Sequence, residues 1–263
     1  MAIALLLALF LVTLACIYLF VIHPWWFPVG VSGYAASVDH EFHTAFWLLG
    51  SLFIASQLLL MVVLLRGRRK KRATYYPGNW RAEVGWTVAV AALFVWFHLS
   101  GGRLWSRMML HQPDKGAIPV EVTGAQFQWY FRYPGKDGKF GRVDAQKFAK
   151  PEEGNPLGID PQDPAGQDDI VSTALVLPVN HDVELDLHAQ DVIHSLFIPA
   201  MRFKQDAVPG MYIRTHLRPT QTGNYEVACA ELCGIGHYRM RALVRVLSDE
   251  QFAAWLKARE VAN

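Results

Sequence analysis

Residues 2–22 carry no charged side chain, and an uninterrupted apolar stretch near 20 residues is the length a helix needs to cross a bilayer. Only a helix or a closed barrel satisfies its own backbone there. Two further apolar runs follow, at about 42–65 and 84–100, and Arg66-Gly67-Arg68-Arg69-Lys70-Lys71-Arg72 lies between them, six basic residues in seven. Basic loops beside membrane spans stay cytoplasmic, so the third run returns outward and everything after Gly101 is expected on the outer side. Residues 1–116 are therefore predicted to be a membrane anchor of three helices, at about 2–22, 42–65 and 84–100. The composition agrees: 52% of the chain is hydrophobic and 18% charged, more apolar and less charged than an average soluble domain. A signal peptide is the alternative for the first run, but no Lys or Arg precedes it, and a retained helix is expected. Thr13-Leu14-Ala15-Cys16 lacks the aliphatic first residue of a lipoprotein cleavage site, and Cys16 reads as a small apolar side chain. With a net charge of +2 and its basic residues bunched at one loop, nucleic acid is not an expected partner.

From Ile118 the pattern changes to short runs of alternating residues broken by Gly, Pro and Asn, as in Val120–Gly124, Phe127–Tyr133, Leu175–Leu177 and Val183–Leu187. Such spacing indicates an all-β sandwich or barrel over 117–263. Ser248 and Gln251 have capping-box spacing, which predicts a short helix burying Phe252, Trp255 and Leu256. Residues 151–169 hold six acids and no base. They read as a solvated surface loop, or as acids steering a basic partner.

Cys229-Ala230-Glu231-Leu232-Cys233-Gly234-Ile235-Gly236-His237-Tyr238-Arg239-Met240 concentrates two thiols, an imidazole and a thioether in one short run. Soft sulfur ligands with imidazole suit copper in both oxidation states. A disulfide would leave His237 and Met240 without a role; zinc has no use for the methionine; a c-type haem box requires Cys-x-x-Cys-His. A blue-copper centre uses one cysteine, so the second is surplus, and two thiolates with two imidazoles suit two coppers sharing both sulfurs. Asp191-Val192-Ile193-His194-Ser195 is the best source of the second imidazole.

Together with Lys204-Gln205-Asp206-Ala207-Val208-Pro209-Gly210, these segments resemble subunit II of the haem-copper oxidases, whose binuclear copper domain carries D-V-x-H-S, K-x-D-x-x-P-G and C-x-E-x-C-x3-H-x2-M. The resemblance implies a cupredoxin-like Greek-key β-barrel behind the transmembrane helices. It implies that Cys229 and Cys233 bridge two coppers, that His194 and His237 bind one each, and that Met240 and the carbonyl of Glu231 complete the set. The family's Arg after Pro-Gly is Met211 here. Gln128-Trp129-Tyr130 resembles its Q-W-Y-W segment, which casts Trp129 as the residue receiving the electron, with an exposed edge as docking platform. Glu83, three residues before Trp86-Thr87, matches a glutamate at the mouth of a proton pathway; it is equally a helix-start carboxylate favoured by the dipole. The function implied is electron transfer from cytochrome c or a haem-bearing partner to a haem-copper catalytic subunit that reduces oxygen, in a bacterial inner membrane with this domain on the periplasmic side. Haem is expected only in that partner subunit. A copper subunit of a nitric oxide reductase would read the same way.

Overall fold

The computed structural model describes residues 2–22, 27–67, 72, 75–110, 112–148 and 154–260. All three apolar runs form helices: α1 (Ala2–Ile22), α2 (Ala35–Gly67) and α3 (Trp80–Met109). Both later helices outrun the expected spans, since polar residues at their ends still favour helix. Asn79 caps α3 by accepting from Arg81 N and Ala82 N at 3.1 and 3.4 Å, the side-chain bond an N-cap supplies. α2 and α3 are long and apolar enough to cross a membrane, whereas the apolar part of α1, Ala4–Leu19, is shorter. Ser100 Oγ donates to Glu41 Oε1 at 2.5 Å, which joins α2 to α3 through a carboxylate and a hydroxyl. The basic run falls mostly at 68–71, outside the described residues, as do His23 to Trp26.

The helices form one compact unit. The other comprises residues 29–36 with everything from Arg107 onward. That the short segment before α2 belongs to the β unit is a departure from the 1–116 anchor. Val31 is buried, Val31 N donates to Ala200 O and Thr220 N to Val31 O, so this segment is tied to the domain like an added edge.

Among the described residues, ten strands make two five-stranded sheets: β1 (Ile118–Ala125), β2 (Gln128–Tyr133), β3 (Ile170–Ser172), β4 (Leu175–Pro178), β5 (Val183–Ala189), β6 (His194–Ile198), β7 (Phe203–Ala207), β8 (Ile213–Leu217), β9 (Gly223–Cys229) and β10 (Arg241–Leu247). Their orders are β3-β2-β1-β5-β8 and β4-β10-β9-β6-β7. β1 with β5, and β4 with β10, pair in parallel; the remaining pairs are antiparallel. Alternation sets the faces: Val183, Leu185, Leu187 and Ala189 of β5 are buried, while Glu184, Asp186 and His188 point away. Leu196, Ile198, Val227, Val244 and Val246 line the core from the second sheet. Each such aliphatic side chain contributes roughly 1.5–3 kcal/mol by leaving water. The capping box forms as expected, with Ser248 and Gln251 exchanging bonds of 3.3 Å. Behind it, α4 (Asp249–Glu260) buries Phe252 and stacks Trp255 edge-on against Tyr133 at 5.0 Å.

The acidic segment is not a solvated loop. Val143 bridges Ile159, and Asp144 N and Asp160 N donate to Gly158 O and Arg142 O, so the excursion from 134 to 169 doubles back on itself and buries Leu157. Arg132 of β2 anchors it. Only 2% exposed, its guanidinium meets Glu121 at 2.5 Å, Asp169 at 3.2 Å and Gly141 O at 3.0 Å, beneath the Phe140 ring. Burial pushes the Glu121 and Asp169 carboxyls up from their usual range, and Arg132 pulls against it. Asp160 and Asp163 pair with Lys147 and Arg142, and Asp168 accepts from Lys136 N. The four described acids are thus engaged internally, which removes them from the steering role; Glu152 and Glu153 lie outside the described residues.

Candidate metal centre

β6 starts at His194 and β9 ends at Cys229, on neighbouring strands in register near Leu196 and Cys229. The loop from 230 returns into β10 through a 3-10 turn at His237–Arg239, and Cys229 N donates to Met240 O at 3.0 Å to close it. This fold brings all the sulfur and imidazole donors of the run together with His194. Cys229 Sγ and Cys233 Sγ are 3.9 Å apart. His194 Nδ1 is 3.9 Å from the first sulfur and His237 Nδ1 is 3.6 Å from the second. The carbonyl oxygen of Glu231 lies 3.2 Å from Cys229 Sγ, and Met240 Sδ 3.8 Å from Cys233 Sγ. His194, Cys229, Cys233 and Met240 are buried, and His237 is half-buried.

Electrostatics shows what the donors suit. Burial opposes charge on both thiols, yet hydrogen bonding to His194 and neighbouring backbone brings Cys229 below the ordinary thiol range. Burial and the adjacent Cys229 push Cys233 above it. One thiolate suppresses ionisation of the next, as like charges in a shared buried site do, and a soft cation between the sulfurs removes that conflict. The donor set therefore fits copper.

The surrounding residues fix the ligands. His194 Nε2 donates to Asp191 Oδ1 at 2.8 Å, since a carboxylate only accepts, and this bond fixes the ring with Nδ1 toward the sulfurs. Asp191 is itself held by Gln126 N and Val192 N, each at 2.7 Å. Gln126 Nε2 reaches Cys233 O at 2.5 Å. The His194 ring packs on Gly124, where a Cβ would come within 2.9 Å of it, and a Cβ on Gly236 would strike the Phe127 ring. These supports were not singled out from sequence; Asp191 stood inside a quoted motif, three residues before His194, the spacing that carries its bond.

Trp129 differs from expectation. It is 0% exposed, with its ring edge-on to His194 at 5.9 Å and 67°, so the exposed docking edge is absent. Reading the aromatic segment from Gln126 instead gives Gln126-Phe127-Gln128-Trp129, with Phe127 at the half-exposed first position against Gly234 and Gly236, under Arg239. Glu83 lies in the first turn of α3, exposed, with Oε1 near Gly78, where it suits the helix dipole.

Two apolar helices and a cupredoxin-like β domain with a buried His–Cys–Cys group define a membrane-anchored copper-binding protein. The family profile for the periplasmic domain of cytochrome C oxidase subunit II matches residues 118–247. The "Alternative cytochrome c oxidase subunit 2" of Bradyrhizobium diazoefficiens is 38% identical, over 98% of this chain and 91% of its own. Cytochrome c oxidase subunit 2 of Cereibacter sphaeroides is 30% identical, over 79% and 70%. The crystal structure of the periplasmic domain of a Bradyrhizobium japonicum oxidase subunit II is 28% identical, over 59% of this chain and 99% of that one, with a TM-score of 0.42. The chain belongs to the cytochrome c oxidase subunit II family. It is accordingly part of an oxidoreductase complex, with an electron-input role, a membrane anchor and a periplasmic C-terminal domain.

Proposed function

We propose that this chain accepts single electrons from cytochrome c or a haem-bearing partner and passes them, through a binuclear copper centre, to haem in a separate catalytic subunit that reduces oxygen. The observation carrying this reading is the convergence of six donors about one pair of sulfurs: His194, Cys229, the Glu231 carbonyl, Cys233, His237 and Met240. A single copper of the blue type is satisfied by one thiolate, two imidazoles and a weak axial thioether. Here one sulfur and one carbonyl remain over. Held by His194, Cys229, the Glu231 carbonyl, Cys233, His237 and Met240, a copper centre would supply one-electron transfer, and a second copper would let the charge be shared.

The protein's own task is to keep those donors still. Asp191 orients His194, Trp129 and Gly124 pack against its ring, and Gln126 and the Cys229–Met240 backbone bond clamp the loop. Ligands that move little between oxidation states keep the reorganisation cost of transfer small.

The loop also carries Leu232, Ile235 and Tyr238, with Ile235 96% exposed. Apolar side chains at that level mark an interaction surface. Their place beside half-buried His237 suits them to the catalytic subunit, which gives the electron its way out. In this reading the anchor crosses a bacterial inner membrane three times with its N-terminus cytoplasmic, and Glu83 stands at the cytoplasmic end of α3 as the mouth of a proton path.

Affinity purification of the full chain from its native membranes tests the proposal. The purified material should contain a haem-bearing catalytic subunit and copper, and should consume oxygen with reduced cytochrome c. Cys233→Ser should keep the assembly and lose copper. Recovery of the chain without a haem subunit would sink the reading.

A further inference from the structure

Where residues 29–36 and the last turn of α3 meet β8 and the β4–β5 turn, the chain encloses an open polar cavity of about 360 Å³. Tyr34, Arg107, Asp114, Asp182, His216 and Arg218 line it, and all six belong to the compact unit of the β domain. Its size is that of a small-ligand pocket. None of its residues takes part in the copper donor set.

The lining is braced by its own bonds. Arg218 Nε donates to Asp182 Oδ1 at 2.7 Å, its other end reaches Asp114, and Asp114 N donates to Asp182 Oδ2 at 2.8 Å. Burial opposes charge on Asp182, yet Arg218 and the Asp114 amide hold its carboxyl below the usual range. Tyr34 OH lies 2.8 Å from His216 Nε2, and His216 is 6% exposed. Burial, then Asp182, pushes the Tyr34 hydroxyl up, so it keeps its proton. Arg107 and the Asp114 side chain are open to solvent. Arg107 and Arg218 balance Asp114 and Asp182, so the cavity displays both signs with no net excess from these four. Its neighbours in sequence are interfacial: Tyr34 directly precedes α2, and Arg107 lies on α3 between Trp105 and Leu110, both exposed. Tryptophan interleaved with arginine is the composition of a membrane headgroup layer.

We propose that this cavity binds the headgroup of a zwitterionic phospholipid of the outer leaflet, phosphatidylethanolamine by its chemistry, with the phosphate toward Arg107 and the Tyr34 hydroxyl and the ammonium toward Asp114. Guanidinium and phosphate form a charge-assisted pair, and a primary ammonium has three N–H donors to offer a carboxylate. A purely anionic headgroup would face Asp114 and Asp182 unmatched. A quaternary ammonium carries no N–H, so phosphatidylcholine forgoes the bond to Asp114. The same phosphate and ammonium occur in soluble phosphoethanolamine esters; the adjoining exposed apolar residues favour the form that carries acyl chains.

The test is a native mass-spectrometric titration of the full chain in detergent micelles with phosphatidylethanolamine, phosphatidylcholine and phosphatidylglycerol of identical acyl chains. Phosphatidylethanolamine should occupy one site about tenfold more tightly than either of the others, the worth of one hydrogen bond to a charged group. Arg107→Gln should weaken it by about tenfold. Asp114→Asn still accepts from Arg218 but leaves the lining with one positive charge in excess, so phosphatidylethanolamine should weaken, phosphatidylglycerol should tighten, and the order of the two should invert. A damaged fold would weaken both lipids together and could not invert them. Equal binding of the three lipids by the parent chain would overturn the proposal, as would an unchanged order in Asp114→Asn. Glycerophosphoethanolamine, the headgroup without its chains, should displace little of the bound lipid at equal concentration. Full displacement by it, or by inorganic phosphate, would overturn the lipid assignment in favour of a soluble phosphate ester or a simple anion.

Discussion

Replacing Trp129 by Phe separates two roles that the resemblance had merged in one side chain. Trp129 is completely enclosed, and its Nε1 is buried with no hydrogen-bond partner among the described residues. The smaller ring leaves ~40 Å³, worth about 1 kcal/mol of cavity cost, plus a similar loss of transfer energy. Removal of an unsatisfied buried N–H returns about 1–3 kcal/mol. The two effects nearly cancel, so stability should stay within about 1 kcal/mol of the parent, whereas Trp129→Ala, with no second effect to offset the cavity, should lose about 3–5 kcal/mol. Because no edge of the ring reaches the surface, Trp129→Phe should leave the Kd of the donor unaltered. A change in the copper spectrum would reflect the ring's contact with His194. Stopped-flow reduction and equilibrium binding, run on the same preparation, distinguish the outcomes. Slower transfer at unchanged Kd places Trp129 on the internal route, while weaker docking with intact copper would refute the claim that it is shielded.

Arg132→Met strands Glu121 and Asp169 without their cation, and the loss of one partner from a buried ionic cluster costs about 3–5 kcal/mol; thermal unfolding should show a large fall, and an unchanged midpoint would mean that the 134–169 excursion is not anchored there. Gly236→Ala drives a methyl into the Phe127 ring and should disturb copper uptake, with Phe127→Leu in the same chain restoring part of it; lack of rescue would assign the defect elsewhere. His188 is brought down to about 4, by burial first and then by Arg132. Its folded value lies below the unfolded one of about 6.5, so acid favours the unfolded chain: stability holds above that pH and falls toward pH 4, by up to about 3 kcal/mol. His188→Gln should flatten this part of the stability curve, and a persisting slope would assign it to another group.

What could be read from the chain depended on how local the signal was. The copper run is legible because its donors lie within one loop, and His194 because a strand pattern and a nearby motif pointed to it. The capping box at Ser248 worked for the same reason. Alternation correctly put Trp129 and Phe131 on one face, but a period of two cannot say whether that face looks into a core or out to a partner, and here both residues are buried. The excursion from 134 to 169 was misread from composition because its acids are matched by Arg132, Arg142 and Lys147, partners that lie outside the acidic stretch itself. Residues 29–36 gave no sign of joining the β unit, since their bonds run to Ala200, Met201 and Arg218, far along the chain.

Copper stoichiometry read together with electron spin resonance tests the central claim most directly. The purified complex, corrected for copper in the catalytic subunit by comparison with Cys229→Ser, should hold two coppers in this chain and give a mixed-valence signal split by both nuclei. Met240→Leu should retain copper and shift its potential, as an axial ligand does. One copper with a single-nucleus blue-type signal would contradict the account.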